Sequence, residues 1–437
     1  FGTITNTVMS IEWLSWLRRF PKAYDENEMK VKSYGLVTGA YWSLTLTDGA
    51  LRMVVLLHFH ELGFGPLELS FLFLAYEFMG VLTNLFGGIA GSRFGLEQTL
   101  KAGLLIQTFA LLTISFVDAN WGKIFSVAFV MFCQAFSGIA KDLTKMSSKS
   151  AVKFVVPEDG SSERQTRLFR WVAVLTGSKN ALKGVGFFVG SALLSLFGYR
   201  TSLLALASIV AVALVAVLVF LDESIGKSSK PLPRRIWAST YPAVNKLSIA
   251  RFFLFGSRDI WFVVALPIFL DESLGWSFEG IGAFLAAWVI GYGIIQSGAP
   301  SVIRLKDAAG EIQASTRLWS FTLMIFTILL AVLVAFDIAK SFTVIVGLLL
   351  FGVLFALNSS LHSYLILAFT EDDSDVAVNV GLYYSANAFG RLFGTLLSGL
   401  TYLWGGLSAA LFTCCGFLAV NWLISFSFPK RIKSGFQ

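Results

Sequence analysis

Eight charged side chains interrupt stretches of this sequence that are otherwise apolar enough to lie inside a membrane. Ionisable groups in hydrocarbon are costly, and they mark substrate pathways, proton relays or buried pairs. The basic members are Arg52, Lys179, Lys183, Arg258 and Arg391, and the acidic members are Asp48, Glu77 and Asp259. The chemistry that these residue types could perform is capture of an anion and transfer of a proton.

The first pair lies in the apolar stretch 41–60. Asp48 and Arg52 are four residues apart, so on a helix their side chains share one face and can meet. A buried pair of this kind predicts a binding site or pathway. The alternative is a pair that only ties this helix to a neighbour.

The basic residues outnumber the acidic ones, and the excess needs a partner. Lys179 and Lys183 share one helix face with no acidic residue in the same apolar run. Because an unpaired positive cluster in hydrocarbon is prohibitive, we predict an anionic substrate, and arginine suits phosphate-like or carboxylate oxygens. Lys179 could instead snorkel to an interface, whereas Lys183 and Arg391 lie too deep for that.

Asp48, Glu77 and Asp259 are the candidate proton-coupling carboxylates. An arginine beside a carboxylate keeps it ionised, so a substrate that competes for the arginine could trigger protonation. This coupling is a hypothesis. It fails if neutralising all three carboxylates leaves transport driven by a pH gradient unchanged.

Other chemistries find no support in the sequence. Cys133, Cys414 and Cys415 lie in apolar stretches without a Cys-x-x-Cys pattern, which favours inert thiols over a metal site. Neither a metal nor another cofactor is predicted, and without a nucleophile–base constellation we expect no enzyme. The glycines of Gly390-Arg-Leu-Phe-Gly394 predict close helix packing. The net charge of +7 is spread over short loops, which argues against nucleic-acid binding.

Membrane-spanning helices must position these groups. Of 437 residues, 56% are hydrophobic and 14% charged, with a mean hydropathy of +0.72, whereas soluble proteins are roughly a quarter charged. Apolar runs recur at about 20 residues, the length that a bilayer requires. They predict twelve spans at 34–60, 66–90, 98–118, 123–144, 171–197, 201–221, 248–271, 278–303, 318–337, 341–369, 378–403 and 407–428.

The spans form two groups of six around a basic linker. Lysine and arginine gather on one side of the membrane, which places both termini in the cytoplasm. The expected membrane is the plasma (inner) membrane, or an organellar one if the first segment follows a removed presequence. The predicted units are a cytoplasmic or interfacial segment 1–33, a first half 34–221, a cytoplasmic linker 222–247, a second half 248–428 and a cytoplasmic tail 429–437.

Two short matches relate the halves. Leu62-Gly63-Phe64 after span one corresponds to Leu274-Gly275-Trp276 after span seven. Ser178-Lys-Asn180-Ala181 in span five corresponds to Ser385-Ala-Asn387-Ala388 in span eleven. Such a duplication predicts an all-α polytopic membrane protein with two pseudo-symmetric six-helix halves and a substrate site between them, near the bilayer midplane. Asn180 and Asn387 therefore join the five basic residues as candidate substrate-binding residues.

Twelve spans in two halves with a basic linker resemble the major facilitator superfamily. The turn Gly88-Ile-Ala-Gly-Ser-Arg93-Phe-Gly95 is similar to its Gly-xxx-Asp-Arg-x-Gly loop, with Ser92 in place of the acidic residue. More specific strings resemble ArsJ-type organoarsenical efflux permeases from about residue 33 onward. These strings are Val37-Thr-Gly-Ala-Tyr-Trp-Ser, Thr47-Asp-Gly-Ala-Leu-Arg-Met, Leu57-His-Phe-His-Glu-Leu-Gly63 and Leu175-Thr-Gly-Ser-Lys-Asn-Ala-Leu-Lys-Gly184.

The resemblance implies a major facilitator fold with a cavity bounded mainly by spans one, four, seven and ten. It implies arsenate resistance through export of 1-arseno-3-phosphoglycerate, an ester that glyceraldehyde-3-phosphate dehydrogenase makes when it uses arsenate, hence a functional link to that enzyme. We expect a monomer in the lipid bilayer that works as a proton antiporter. The alternatives are a permease for another phosphorylated metabolite or organic anion, and a non-transporting membrane subunit with this fold.

Overall fold

The computed structural model describes residues 25–94, 96–118, 120–155, 162–221, 238–302, 309–370 and 376–429. Most of the predicted N-terminal segment, most of the central linker and nearly all of the tail lie outside the described residues. The turn resembling the superfamily loop is described only as helical backbone up to Phe94.

All regular structure in the described residues is helical, which confirms the all-α class. The bounds of most helices fall within a few residues of the predicted spans. The helices are α1 Asp25–Glu61, α2 Pro66–Phe94, α3 Leu96–Ile114, α4 Lys123–Val155, α5 Ser162–Phe220, α6 Pro242–Phe262, α7 Ala265–Glu272, α8 Phe278–Val302, α9 Ala309–Ala335, α10 Lys340–Ala368 and α11 Val376–Ser425.

Two pairs of predicted spans follow each other without an intervening loop, and a third span is divided. Predicted spans five and six are the two helical segments of α5, which meet at Gly198 with φ 74° and ψ 177°. Spans eleven and twelve are the two helical segments of α11, which meet at Gly405 and Gly406, and the φ of Gly406 is 64°. Glycine lacks a Cβ and adopts positive φ without strain, so it turns the chain with no intervening loop. Span seven is divided into α6 and α7 around residues 263–264.

Burial separates a central helix pair from the membrane-facing ones. Eight helical stretches in the described residues are long and apolar enough to cross a membrane. In the apolar segment of Pro242–Glu272, 89% of the residues are buried, compared with 28% in the apolar segment of Ser178–Phe220. Large apolar side chains such as Leu196 and Trp404 are exposed. The chain therefore packs around α6 and α7 and presents apolar surface outward, as an integral multi-pass membrane protein does.

Each of the two matched turns contains a glycine with positive φ. Gly63 follows α1 with φ 78°, and Gly275 follows α7 with φ 66°. The Phe64 N–H donates to the Phe59 carbonyl at 3.1 Å, and the Gly275 N–H to the Asp271 carbonyl at 2.9 Å. Both are left-handed helix ends of the kind that glycine favours. The sequence match after spans one and seven thus corresponds to one repeated structural feature.

The halves meet along two helix pairs, α2 with α11 and α5 with α8. A Cβ added to Gly399 of α11 would lie 2.2 Å from the Pro66 carbonyl oxygen of α2. A Cβ added to Gly282 of α8 would lie 2.4 Å from the Ser191 hydroxyl of α5. Small residues are what permit such close approach between membrane helices.

Candidate functional site

Five charged side chains form a continuous series between the halves, here named the central ion-pair chain. Glu77 Oε1 accepts hydrogen bonds from Arg52 at 2.7 Å and from Arg391 at 2.5 Å. Arg391 Nε also donates to Asp259 Oδ2 at 3.0 Å, and Arg258 Nε donates to Asp259 Oδ1 at 2.6 Å. Three guanidinium groups thus share two carboxylates, which leaves one positive charge in excess.

Four helices contribute to the central ion-pair chain. Arg52 lies on α1 and Glu77 on α2, in the first half, whereas Arg258 and Asp259 lie on α6 and Arg391 on α11, in the second. The Glu77–Arg391 contact therefore joins the two halves. Such a contact has to lengthen or break if the halves rock against each other.

Glycines bring α11 against α6. A Cβ added to Gly390 would lie 2.2 Å from the Phe252 carbonyl oxygen, and one added to Gly394 would lie 2.9 Å from the Cβ of Asp259. These glycines serve helix packing, as their spacing indicated. Arg391 stands between them and reaches Asp259 because the helix axes are so close.

The carboxylates of the central ion-pair chain are enclosed. Glu77 and Asp259 have no exposed surface, and Arg52 is 8% exposed. Glu77 Oε2 has no described hydrogen-bond partner, although it is buried. A buried oxygen without a donor is unfavourable.

Asp48 and Arg52 do not pair with each other, and the predicted contact between them is wrong. Asp48 accepts the Tyr76 hydroxyl at 2.5 Å, while Arg52 binds Glu77. The reason is that α2 presents two consecutive residues to this face of α1. One supplies a donor to the carboxylate and the other an acceptor to the guanidinium, so each charge finds its partner on the neighbouring helix.

The lysines of α5 lie close to the same region. Lys183 Nζ is 5.8 Å from the centre of the Phe187 ring, and its charge interacts with those of Arg52 and Arg391. Within the described residues it has no carboxylate in ion-pair contact. Lys179, one turn earlier on α5, is half-buried. Lys183 therefore adds a positive charge beside the central ion-pair chain.

The two predicted asparagines lie outside this chain. Asn180 packs at the contact of α5 with α8, where a Cβ on Gly293 would be 3.0 Å from its own Cβ. Asn387 Oδ1 accepts a hydrogen bond from Arg251 Nε at 3.1 Å. Arg251 was not predicted as a site residue from the sequence. Its position as a basic residue near the start of predicted span seven could have identified it.

A second charged cluster on α4 was also missed. Buried Asp142 accepts hydrogen bonds from Thr83 at 2.8 Å and Lys145 at 3.2 Å. Lys141 Nζ lies 4.0 Å from Asp142 and 4.1 Å above the ring centre of Tyr76, the same tyrosine that binds Asp48. The adjacent charges Lys141 and Asp142 inside predicted span 123–144 were the available signal.

Basic side chains outnumber carboxylates around the contact between the halves. The central ion-pair chain, Asp48, Lys183 and the cluster on α4 together comprise six basic side chains and four carboxylates. The basic side chains are Arg52, Lys141, Lys145, Lys183, Arg258 and Arg391, and the carboxylates are Asp48, Glu77, Asp142 and Asp259. The carboxylates are buried, whereas all the basic side chains but Arg52 are partly exposed. Since an excess of enclosed positive charge is costly without a counter-charge, the site suits an anion.

Other features offer little chemistry. The three cysteines are buried, and the described residues contain no group of three or more potential metal ligands. A crevice of about 700 Å³ between α1 and α5 is lined by small and aliphatic residues such as Gly35, Gly39 and Val212. It faces away from the charged groups and offers none of them to a ligand.

Comparison with known proteins places this geometry in context. The family model described as "Major Facilitator Superfamily" matches residues 37–314. The crystal structure of a POT family transporter in complex with a thioalcohol-conjugated peptide superposes with a TM-score of 0.69. The superposition covers 91% of this chain and 95% of that one at 13% sequence identity, so it shows a shared fold.

A curated relative matches a shorter part of the chain. It is the "Na(+), Li(+), K(+)/H(+) antiporter" of Planococcus maritimus, 29% identical over 160 residues. The match covers 37% of this chain and 35% of the antiporter.

Proposed function

This chain belongs to the major facilitator superfamily and is a multi-pass membrane transporter, and we propose that its cargo is an organic anion. The observation that carries the proposal is the excess of one cation in the central ion-pair chain, where Arg52, Arg258 and Arg391 share the buried carboxylates of Glu77 and Asp259. A single arginine binds a phosphate-like or carboxylate group with two parallel hydrogen bonds. An anion arriving there supplies the negative charge that the protein itself lacks.

The same contact suggests how binding is coupled to movement. Arg52 and Arg391 both bind Glu77 Oε1, and a substrate oxyanion competes for these two guanidinium groups. When Arg391 transfers to the substrate, the link between the halves is released. Rocking of one half against the other then exposes the site to alternate sides of the membrane.

We further propose that the exported substrate is an organoarsenical, 1-arseno-3-phosphoglycerate. The support is the resemblance of the strings around Asp48, Arg52 and Lys183 to ArsJ-type permeases, together with the basic site. An arsenate ester needs charged donors and no thiols, which agrees with three cysteines that are buried. Export of this ester would confer resistance to arsenate.

Proton antiport is the proposed driving mode. Glu77 Oε2 is buried without a described partner, and it can take a proton when the arginines turn to the substrate. The curated relative is a cation/proton antiporter by its name, which supports exchange against protons. That relative also favours a second candidate, cation–proton antiport, with Asp48 and Asp142 as the cation-binding carboxylates.

Arsenate resistance in a sensitive host tests the proposal. Cells that express this protein together with glyceraldehyde-3-phosphate dehydrogenase should tolerate arsenate, whereas cells lacking either should not. Arg391→Gln should abolish tolerance. Lys340→Gln should retain it, because Lys340 lies outside the central ion-pair chain, where its Nζ is 3.4 Å from Asp337 Oδ1 and 5.4 Å from the centre of the Phe269 ring. Resistance that is independent of the dehydrogenase would refute the arsenical substrate.

Uptake by everted vesicles distinguishes the remaining candidates. Accumulation of phosphoglycerate without arsenate would favour a permease for ordinary phosphorylated metabolites. Exchange of Na⁺ or K⁺ for protons without any anion would favour the cation antiporter. A protein with no transport activity, whose Arg391→Gln variant leaves arsenate tolerance unchanged, would be a non-transporting subunit.

A further inference from the structure

A buried arginine in the second half has no carboxylate partner among the described residues. Arg251 on α6 is 4% exposed, and its Cζ lies over the rings of Phe255 and Tyr383, at 3.8 and 4.8 Å from their centres. A guanidinium group always carries its charge, and enclosing it without an anion is costly. Unlike the arginines of the central ion-pair chain, Arg251 is compensated in the described part of the chain only by neutral groups and aromatic rings.

The contacts of Arg251 leave part of its guanidinium group unused. Nε donates to Asn387 Oδ1 at 3.1 Å. Nη1 donates to the carbonyl and hydroxyl oxygens of Ser359, both at 3.2 Å. The plane of the group stacks on the Phe255 ring, with Cζ 3.8 Å from its centre. Nη2 makes no hydrogen bond to a described residue.

Hydrogen-bond donors exceed acceptors around Arg251. The Ser359 hydroxyl oxygen lies 3.0 Å from the Tyr292 hydroxyl and 3.4 Å from Gln296 Nε2, in addition to Arg251 Nη1. A hydroxyl oxygen has two lone pairs, so three donors compete for it. An oxyanion, which only accepts hydrogen bonds, would satisfy this surplus.

The donor-rich pocket is aligned with the central ion-pair chain. Arg251 and Arg258 are seven residues apart on α6, two helical turns or about 10 Å along the axis. Both guanidinium groups lie over the ring of Phe255, at 3.8 and 5.1 Å from its centre, so their Cζ atoms are at most 8.9 Å apart. A short metabolite with an anionic group at each end can therefore contact both.

We propose that the Arg251 pocket, with Ser359, Tyr292 and Gln296, is a second oxyanion subsite, and that the transported substrate carries an anionic group at each end. One end binds at Arg391 and Arg258, the other at Arg251. This inference rests on the proposed transport of an organic anion and narrows its substrate class to short dianions with separated charges. A substrate with a single anionic group fills one subsite only.

Ligand-dependent thermal stability of the purified full-length protein tests the subsite. The probes are 3-phosphoglycerate, with an anionic group at each end, and glycerol 3-phosphate, with one. The wild-type protein should bind 3-phosphoglycerate about 10- to 100-fold more tightly, as charge-assisted hydrogen bonds to a second group allow. Arg251→Gln should abolish that preference and leave the affinity for glycerol 3-phosphate unchanged.

Two further variants keep the test decisive. Arg251→Lys retains the charge but loses the planar fork, so it should reduce the preference only partly, and it replaces Arg251→Gln if that variant does not fold. Arg391→Gln should weaken both ligands. Equal wild-type affinities, a preference that survives in Arg251→Gln, or a preference that is undiminished in Arg251→Lys, would overturn the subsite alone. Failure of the wild-type protein to bind either ligand would instead refute the proposed anion transport.

Discussion

Replacing Glu77 by glutamine should destabilise the protein because two buried arginines lose the carboxylate that they share. Arg52 and Arg391 donate to the same oxygen at 2.7 and 2.5 Å. Glutamine has nearly the same shape but carries no charge, so the two guanidinium groups would repel each other. The perturbation therefore removes the link between the halves without creating a cavity.

The expected magnitude follows from the burial of the pair. Removing one partner of a buried ion pair costs about 3–5 kcal/mol, mostly because the other charge is left uncompensated. Glu77 has no exposed surface, so screening by solvent is weak. An anion that binds where the Glu77 carboxylate was should restore part of the lost unfolding free energy. A ligand at 100 times its Kd stabilises the folded protein by about 2.7 kcal/mol.

Thermal unfolding in detergent, with and without inorganic phosphate, measures both effects. Phosphate should raise the Tm of Glu77→Gln more than that of the wild-type protein, because in the variant Arg52 loses its carboxylate partner and Arg391 keeps only Asp259. Glu68→Gln on the same helix is the control, since its pair with Lys123 at 3.5 Å is exposed and worth at most about 1 kcal/mol. A Glu77→Gln protein as stable as wild type, or equal stabilisation of both by phosphate, would refute the reasoning.

Three other substitutions probe the elements that support the site. Gly394→Val should separate α11 from α6 and abolish arsenic export by vesicles, because its Cβ would lie 2.9 Å from the Cβ of Asp259. Tyr76→Phe removes the donor that binds Asp48 at 2.5 Å and should lower the unfolding free energy by about 1–3 kcal/mol, measured by denaturation in detergent. Gly198→Ala should cost about 1–3 kcal/mol in the same assay, because φ is 74° and ψ 177° there.

A glycine with ordinary backbone geometry is the matched control for these variants. A Cβ added to Gly416 of α11 would have no neighbour within 4 Å, and the φ of Gly416 is not positive. Gly416→Ala should therefore be neutral or slightly stabilising. Export retained by Gly394→Val would show that close packing does not position Arg391. Unchanged stability of Tyr76→Phe would show that the hydrogen bond to Asp48 does not stabilise the protein. Unchanged stability of Gly198→Ala would show that the positive φ of Gly198 does not require glycine.

Helix order was predictable from the sequence because each span must satisfy its own backbone hydrogen bonds within the bilayer. The boundaries predicted for 66–90 and 341–369 agree closely with Pro66–Phe94 and Lys340–Ala368. The turns at Gly198 and at Gly405–Gly406 lie in the short gaps predicted between spans five and six and between spans eleven and twelve. Hydropathy did not predict the geometry of these turns, because the positive φ of Gly198 and Gly406 is a property of the backbone rather than of the apolar pattern.

Residue type and depth in an apolar run identified Arg52, Glu77 and Asp259 as buried charges, because burial in hydrocarbon has a predictable energetic cost. The same reasoning missed Arg251 and Asp142, and it did not predict how the charges pair. Spacing within one helix suggested Asp48 with Arg52, yet Arg52 binds Glu77 of α2, and Glu77 binds Arg391, 314 residues further along the chain. Pairing depends on which helix faces meet, and that is a property of packing between helices rather than of any one of them.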